Sequence, residues 1–92
     1  PVYLCWDMDF FDPSCAPGVC APIPGGPGAE EGLRLLRGFA GLNIVACDVN
    51  TVSPPHDVGG ITALLAAQVM YDCLVLVCQR AVSPLSPGPG RP

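Results

Sequence analysis

Two carboxylates set two residues apart, Asp7 and Asp9, close the apolar run at residues 2–6. In an extended chain, alternate residues point to the same side, with Cα atoms roughly 6.5 Å apart. The C-terminal end of a buried strand is also where open α/β sheets place their ligands. Like charges this close repel, and a divalent cation relieves the repulsion. Oxygen donors of this kind suit Mg²⁺ or Mn²⁺. A structural reading competes: the same Asp-x-Asp can cap a strand and open a turn that Asp12-Pro13 closes.

Such a pair needs elements to hold it. Residues 2–6 read as a short buried strand of β-favouring residues. Residues 13–28, PSCAPGVCAPIPGGPG, form a Pro/Gly-rich loop too long for a plain connection. Residues 29–38 read as a helix, with Glu30 and Glu31 in the first turn and Arg34 and Arg37 near the end, as the helix dipole favours. Leu33 and Leu36 share one face. Gly32 weakens this helix by roughly 1 kcal/mol relative to alanine. Residues 43–49, NIVACDV, read as a second buried strand that Ser53-Pro54-Pro55 breaks. After Gly59-Gly60 comes a long apolar helix over residues 61–78. Gln68, Asp72 and Gln79 fall close together at 100° per residue, which predicts one wet edge. The alternation of strands and helices predicts an α/β fold with a parallel sheet covered on both faces. Two strands do not make a stable sheet alone, so the pattern asks for further strands.

Composition narrows the function. The 92 residues suffice for one small domain. Half are hydrophobic and 13% charged, too apolar for a disordered chain. The net charge is −4, lysine is absent and the arginines are scattered, which excludes a nucleic-acid footprint. The long helix reaches the length of a membrane span, but Gln68, Asp72 and the strand-rich context argue against a membrane partner. No signal or transit peptide is legible, and a chain opening on Pro1 is expected to continue upstream. The six cysteines, four of them in apolar runs, two in the loop and none in a CxxC, read as buried free thiols. Disulfides and a metal–thiolate site are the alternatives. Trp6, Phe10 and Phe11 read as core, His56 as an exposed loop residue and Asp57 as a cap for the last helix.

Two stretches carry a family likeness. CWDMDFFDPSCAPGVCAPIPGG resembles the ureohydrolase pattern of Ser, apolar, Asp, apolar, Asp, then Asp-Pro and a Pro/Gly-rich loop. LLRGFAGLNIVACDVNTVSPPHDVGGITALLAA resembles agmatinase-type members, which tend to read LLRGLxGLNVVGxDVVEVSPPYD before a TALLAA helix. The likeness to the arginase/agmatinase family spans about residues 2–78. It implies that residues 1–78 are the C-terminal portion of a three-layer αβα, arginase-like domain whose N-terminal half lies outside this chain. Residues 79–92 are then a Pro/Gly-rich, disordered tail. The family chemistry implied uses two Mn²⁺ ions that share a bridging water or hydroxide, which attacks the guanidinium carbon of a small guanidino substrate and releases urea. Agmatine, giving putrescine and urea, is the implied substrate. By position Asp7 resembles the carboxylate bridging both metals and Asp9 a ligand of one; Asp12 matches the turn that shapes the loop, and Asp48 a hydrogen-bonded support. An intracellular setting, cytoplasmic or mitochondrial, and a homo-oligomer also go with the family.

The departures sit close to the expected substrate. The family's other ligands, in a Gly-Gly-Asp-His-type loop and an Asp-Ala-His-x-Asp-type strand end, have no counterpart here. The family's PGTGTP loop reads Pro17-Gly18-Val19-Cys20-Ala21-Pro22, so Val19 and Ala21 replace two threonines. Thr51 stands where a glutamate would anchor the guanidinium by a charge-assisted pair. Cys5 replaces the usual serine, and the bulky Trp6 follows it. These losses predict an inactive chain with at most weak Mn²⁺ binding, and keep a non-catalytic pseudoenzyme or structural piece as an alternative. A haloacid-dehalogenase-type phosphatase, with Asp7 as nucleophile, is a further alternative, although Phe10 and Phe11 stand where that pattern wants a small residue.

Overall fold

The structure is a computed structural model and describes residues 1–82. Strand β1, Val2–Asp7, pairs in parallel with strand β2, Ile44–Asn50. Helix α1, Ala29–Arg37, lies in the crossover between them, and helix α2, Ile61–Val82, follows β2. Two 3₁₀ turns, Met8–Phe10 and Pro54–His56, sit just beyond the strand ends. The chain is thus α/β, as its alternating pattern predicts, and each strand is displaced by about one residue from its expected end. Helix α2 runs four residues past the expected stop at residue 78, into the segment expected to be a disordered tail. No Gly or Pro interrupts CQRAV, so nothing ends the helix before Ser83-Pro84. The rest of that tail, 83–92, lies outside the described residues.

One face of the sheet carries the core and the other is open. Trp6 on β1 is buried, whereas Tyr3, Cys5 and Asp7, on the alternate positions, are exposed. The core joins Trp6, Met8 and Phe11 to Leu36 of α1 and to Leu65, Val69, Cys73 and Leu76 of α2. The expected cover on both faces is therefore absent among the described residues. Trp6 and Phe11 are core as expected, but Phe10 is partly exposed at the edge of their aromatic cluster. Trp6 Nε1 is buried without a hydrogen-bond partner among the described residues.

The wet edge expected on α2 holds at Gln68 and Gln79, which are exposed, and fails at Asp72. Asp72 is buried, accepting from Arg37 Nε at 2.9 Å and Gln68 Nε2 at 3.1 Å, so this one member of the polar stripe is satisfied by α1 and not by solvent. Periodicity locates a polar stripe but cannot say whether water or an arginine satisfies it. The outward side of α2 is otherwise apolar, with Ile61, Leu64, Met70, Tyr71 and Leu74 exposed. By length and composition Ile61–Arg80 could also cross a membrane; here it packs against β2 and α1.

Gly32 is not merely a weak helix residue. A Cβ there would lie 2.3 Å from Phe11 Cε1, so the helix gives up propensity to let the Phe11 ring lie against its backbone. The cysteines differ from the expected uniform burial. All six are free, but Cys5, Cys20 and Cys78 are exposed, Cys15 and Cys47 half-buried, and only Cys73 buried. The alternating strand positions put Cys5 on the open face, which the apolar run alone does not reveal.

Candidate functional site

The C-terminal ends of both strands meet the Pro/Gly-rich loop. Asp7 pairs in register with Asn50, which sets Asp9 beside Thr51. The Asp9 N–H donates to Thr51 Oγ1 at 3.3 Å, and Thr51 Oγ1–H donates to the Asn50 carbonyl at 2.6 Å. Thr51 adopts a left-handed φ of 74°, rare for a β-branched residue and worth about 1–3 kcal/mol of strain. Its carbonyl accepts from Cys20 N–H at 3.2 Å. Thr51 therefore ties β1, β2 and the loop together, a role its residue type does not announce.

The loop itself is ordered by specific anchors. Val19 bridges Val52, and Ser53 N–H donates to the Gly18 carbonyl at 2.7 Å. Gly18 N–H donates to Thr62 Oγ1 at 2.8 Å, and a Cβ at Gly18 would fall 2.6 Å from Asp57 Cβ. Val19 is 3% exposed, so its side chain belongs to the core and offers no polar atom to a ligand. Ala21 is exposed. Asp57 caps α2 as expected, accepting from Thr62 N–H at 3.0 Å and Ala63 N–H at 3.1 Å. Burial works to raise its carboxyl, but these hydrogen bonds prevail and hold it below the usual range. His56 is exposed, with Nδ1 2.7 Å from Ser53 Oγ.

Asp12 shapes the loop as its Asp-Pro turn suggests. It accepts from Ser14 N–H at 2.9 Å and from Gly25 N–H at 2.7 Å, fastening both arms. Hydrogen bonds from Ser14, then Gly25 and Gly26, bring its carboxyl down to about 2. A lowered folded-state pKa contributes stability above the ordinary value near 3.9 that is lost as pH falls through the folded one. The melting temperature of the native chain is expected to exceed that of Asp12→Ala above about pH 4 and to converge with it near pH 2. A constant gap across that window would show that the loop anchors do not depend on the charge. Asp48 is a support on the open face, accepting from Tyr3 Oη, Asn50 Nδ2 and Cys5 Sγ, with the Tyr3 bond the main cause of its lowered carboxyl pKa.

A family model described as the arginase family matches residues 1–76. The chain belongs to the arginase family. Among curated arginase-family relatives, the guanidinopropionase of Pseudomonas aeruginosa is 44% identical over 81 residues, 88% of this chain and 26% of that one. The agmatinase of Chromobacterium violaceum is 42% identical over 90% of this chain and 26% of its own. The human mitochondrial guanidino acid hydrolase is 43% identical over 80% and 21%. Among solved structures, a hypothetical agmatinase from Burkholderia thailandensis superposes with a TM-score of 0.86 at 41% identity, covering 90% of this chain and 26% of that one. The chain spans about a quarter of the length of the curated relatives it matches. The arginase-like fold removes the haloacid-dehalogenase reading of Asp7.

Asp7 and Asp9 offer hard oxygen donors of the kind Mn²⁺ takes. Among the described residues, however, no three His, Cys, Asp or Glu side chains come together. Two carboxylates do not by themselves make a whole metal site.

Proposed function

We propose that this chain supplies the Asp7–Asp9 arm of a two-manganese site in a hydrolase of guanidino compounds, agmatine being the favoured substrate, and that it does not turn over substrate alone. The observation carrying this reading is the placement of Asp7 and Asp9 at the β1 terminus beside Thr51, in an arginase-family chain. Manganese, when bound, supplies Lewis-acid activation of water for attack on a guanidinium carbon. The chain's own residues position: Thr51 holds the Asp9 backbone, Asp12 and Gly18 fasten the loop, and Asp57 fixes the start of α2 behind it.

A non-catalytic role is the second reading, and Thr51 favours it. Its single hydroxyl proton goes to the Asn50 carbonyl, and a neutral oxygen offers no anionic, bidentate acceptor to a guanidinium.

Calorimetric titration with Mn²⁺ tests the proposal, with the Asp7→Ala/Asp9→Ala double variant as control. The expected affinity is on the order of 0.1–1 mM, typical of sparse oxygen-ligand sites, and absent in the control. Tight binding abolished in the control would overturn the inactivity and call for a urea-release assay. Equal heats in both proteins would remove the metal-arm reading.

A further inference from the structure

Two thiols meet where α2 lies on β2. Cys73 on α2 is 3% exposed. Cys47 on β2 is half-buried and packs against the same core. The neighbouring Cys47 thiol is one of the groups that hold the Cys73 thiol above its ordinary pKa. Both line an open cavity of about 510 Å³, walled also by Val49, Tyr71, Leu74 and Val77. Of the two, Cys47 is the more accessible to a small reagent. Neither residue takes part in the Asp7–Asp9 end of the sheet, so the pair stands apart from the function proposed above.

We propose that Cys47 and Cys73 form a paired-thiol site that a low-molecular-weight disulfide closes into an intramolecular disulfide. In the first step the Cys47 thiolate, its proton lost to solvent, attacks one sulfur of the reagent. The reagent's S–S bond breaks, one small thiolate leaves, and a mixed disulfide remains on Cys47. In the second step the Cys73 sulfur, giving its proton to solvent, attacks the Cys47 sulfur and expels the second small thiolate. Two protein thiols have lost two electrons, and one small disulfide has been reduced to two thiols.

Burial, the neighbouring Cys47 thiol and the Asp72 carboxylate push the Cys73 thiol up to about 12. Only a thiolate attacks, so the second step is the slow one and the mixed disulfide on Cys47 accumulates first. The closed bridge encloses residues 48–72. It therefore clamps the segment holding both Thr51 and the Asp57 cap, and it stabilises chiefly by restricting the unfolded chain.

The test uses the reduced full chain, incubated with oxidised glutathione, trapped with N-ethylmaleimide and mapped by non-reducing peptide mass spectrometry. The expected result is a Cys47–Cys73 linked peptide as the main crosslink, appearing after a transient Cys47–glutathione adduct, with a raised melting temperature. Cys47→Ser removes both species. Cys73→Ser leaves the Cys47 adduct without the crosslink. A Cys47 adduct that persists in the native chain, or crosslinks formed mainly through Cys5, Cys20 or Cys78, would overturn the proposal. Should Cys73→Ser fail to fold, phenylarsine oxide on the native chain gives a second reading, because one arsenic joins two adjacent sulfurs with loss of one water. Arsenic bridging Cys47 to Cys73 supports the pair, and arsenic found elsewhere overturns it.

Discussion

Thr51→Glu is expected to raise urea release by on the order of 10²-fold or more when residues 2–78 replace the matching portion of the Chromobacterium violaceum agmatinase. Such a chimera places position 51 in a full-length relative and isolates it. A carboxylate there can hold a guanidinium through two charge-assisted hydrogen bonds, where the threonine hydroxyl offers one neutral oxygen. Truncating one partner of a buried, hydrogen-bonded charge pair costs about 2–5 kcal/mol, and each 1.36 kcal/mol of barrier is tenfold in rate. Against this stands the loss of the Thr51 contacts to Asp9 N–H and the Asn50 carbonyl, each worth about 1 kcal/mol net. The balance still favours glutamate. Equal rates for both residues would show that position 51 does not anchor substrate.

Phe11→Ala is expected to cost about 3–5 kcal/mol, the usual range for removing a buried aromatic ring. Phe11 is 1% exposed, and its ring centroid lies 5.9 Å from that of Trp6 and 5.6 Å from that of Phe10. It also fills the space that the missing Cβ of Gly32 leaves on α1. A two-stranded sheet is marginal by itself, so the variant's unfolding midpoint should fall sharply in urea titrations at 25 °C. Phe11→Leu keeps most of the volume and should fold with a loss nearer about 1.5 kcal/mol. A cooperative transition for the alanine variant close to that of the native chain would mean that the aromatic cluster is peripheral.

Backbone direction was readable from the sequence, and what lies across from each side chain was not. The runs VYLCW and NIVACDV announce strands because β-favouring residues cluster between turn-formers, and the Glu-first, Arg-last order announces α1. The carboxylate pair shows a first limit: an extended chain would put both on one side, but β1 ends at Asp7 and Asp9 lies in the Met8–Phe10 turn. Asp72 shows another: its place on the helical wheel was correct, but Arg37 comes from another element 35 positions away. Gly32 shows the same, since its use depends on an aromatic ring arriving from beyond β1. Thr51 is legible in the sequence only as a threonine at a family glutamate position, whereas its left-handed φ and its hydrogen bonds to two other segments arise only once the strands align. No propensity encodes such a position, because threonine disfavours it.

The parallel register has a kinetic consequence. Every strand contact joins residues about 43 apart, such as Cys5 with Asp48, so no pairing forms until the whole crossover, loop and α1 included, has been gathered in. That loop closure is unfavourable until the contacts it permits are made, and domains built on such distant pairings fold slowly for their size. Helix α2, made from local contacts, forms early and shows its Leu64–Tyr71–Leu74 side to solvent while β1 and β2 are still apart. For this chain the hazardous interval is the wait for the sheet, when an apolar helix and two unpaired β-prone segments are exposed together and association between molecules competes with closure within one.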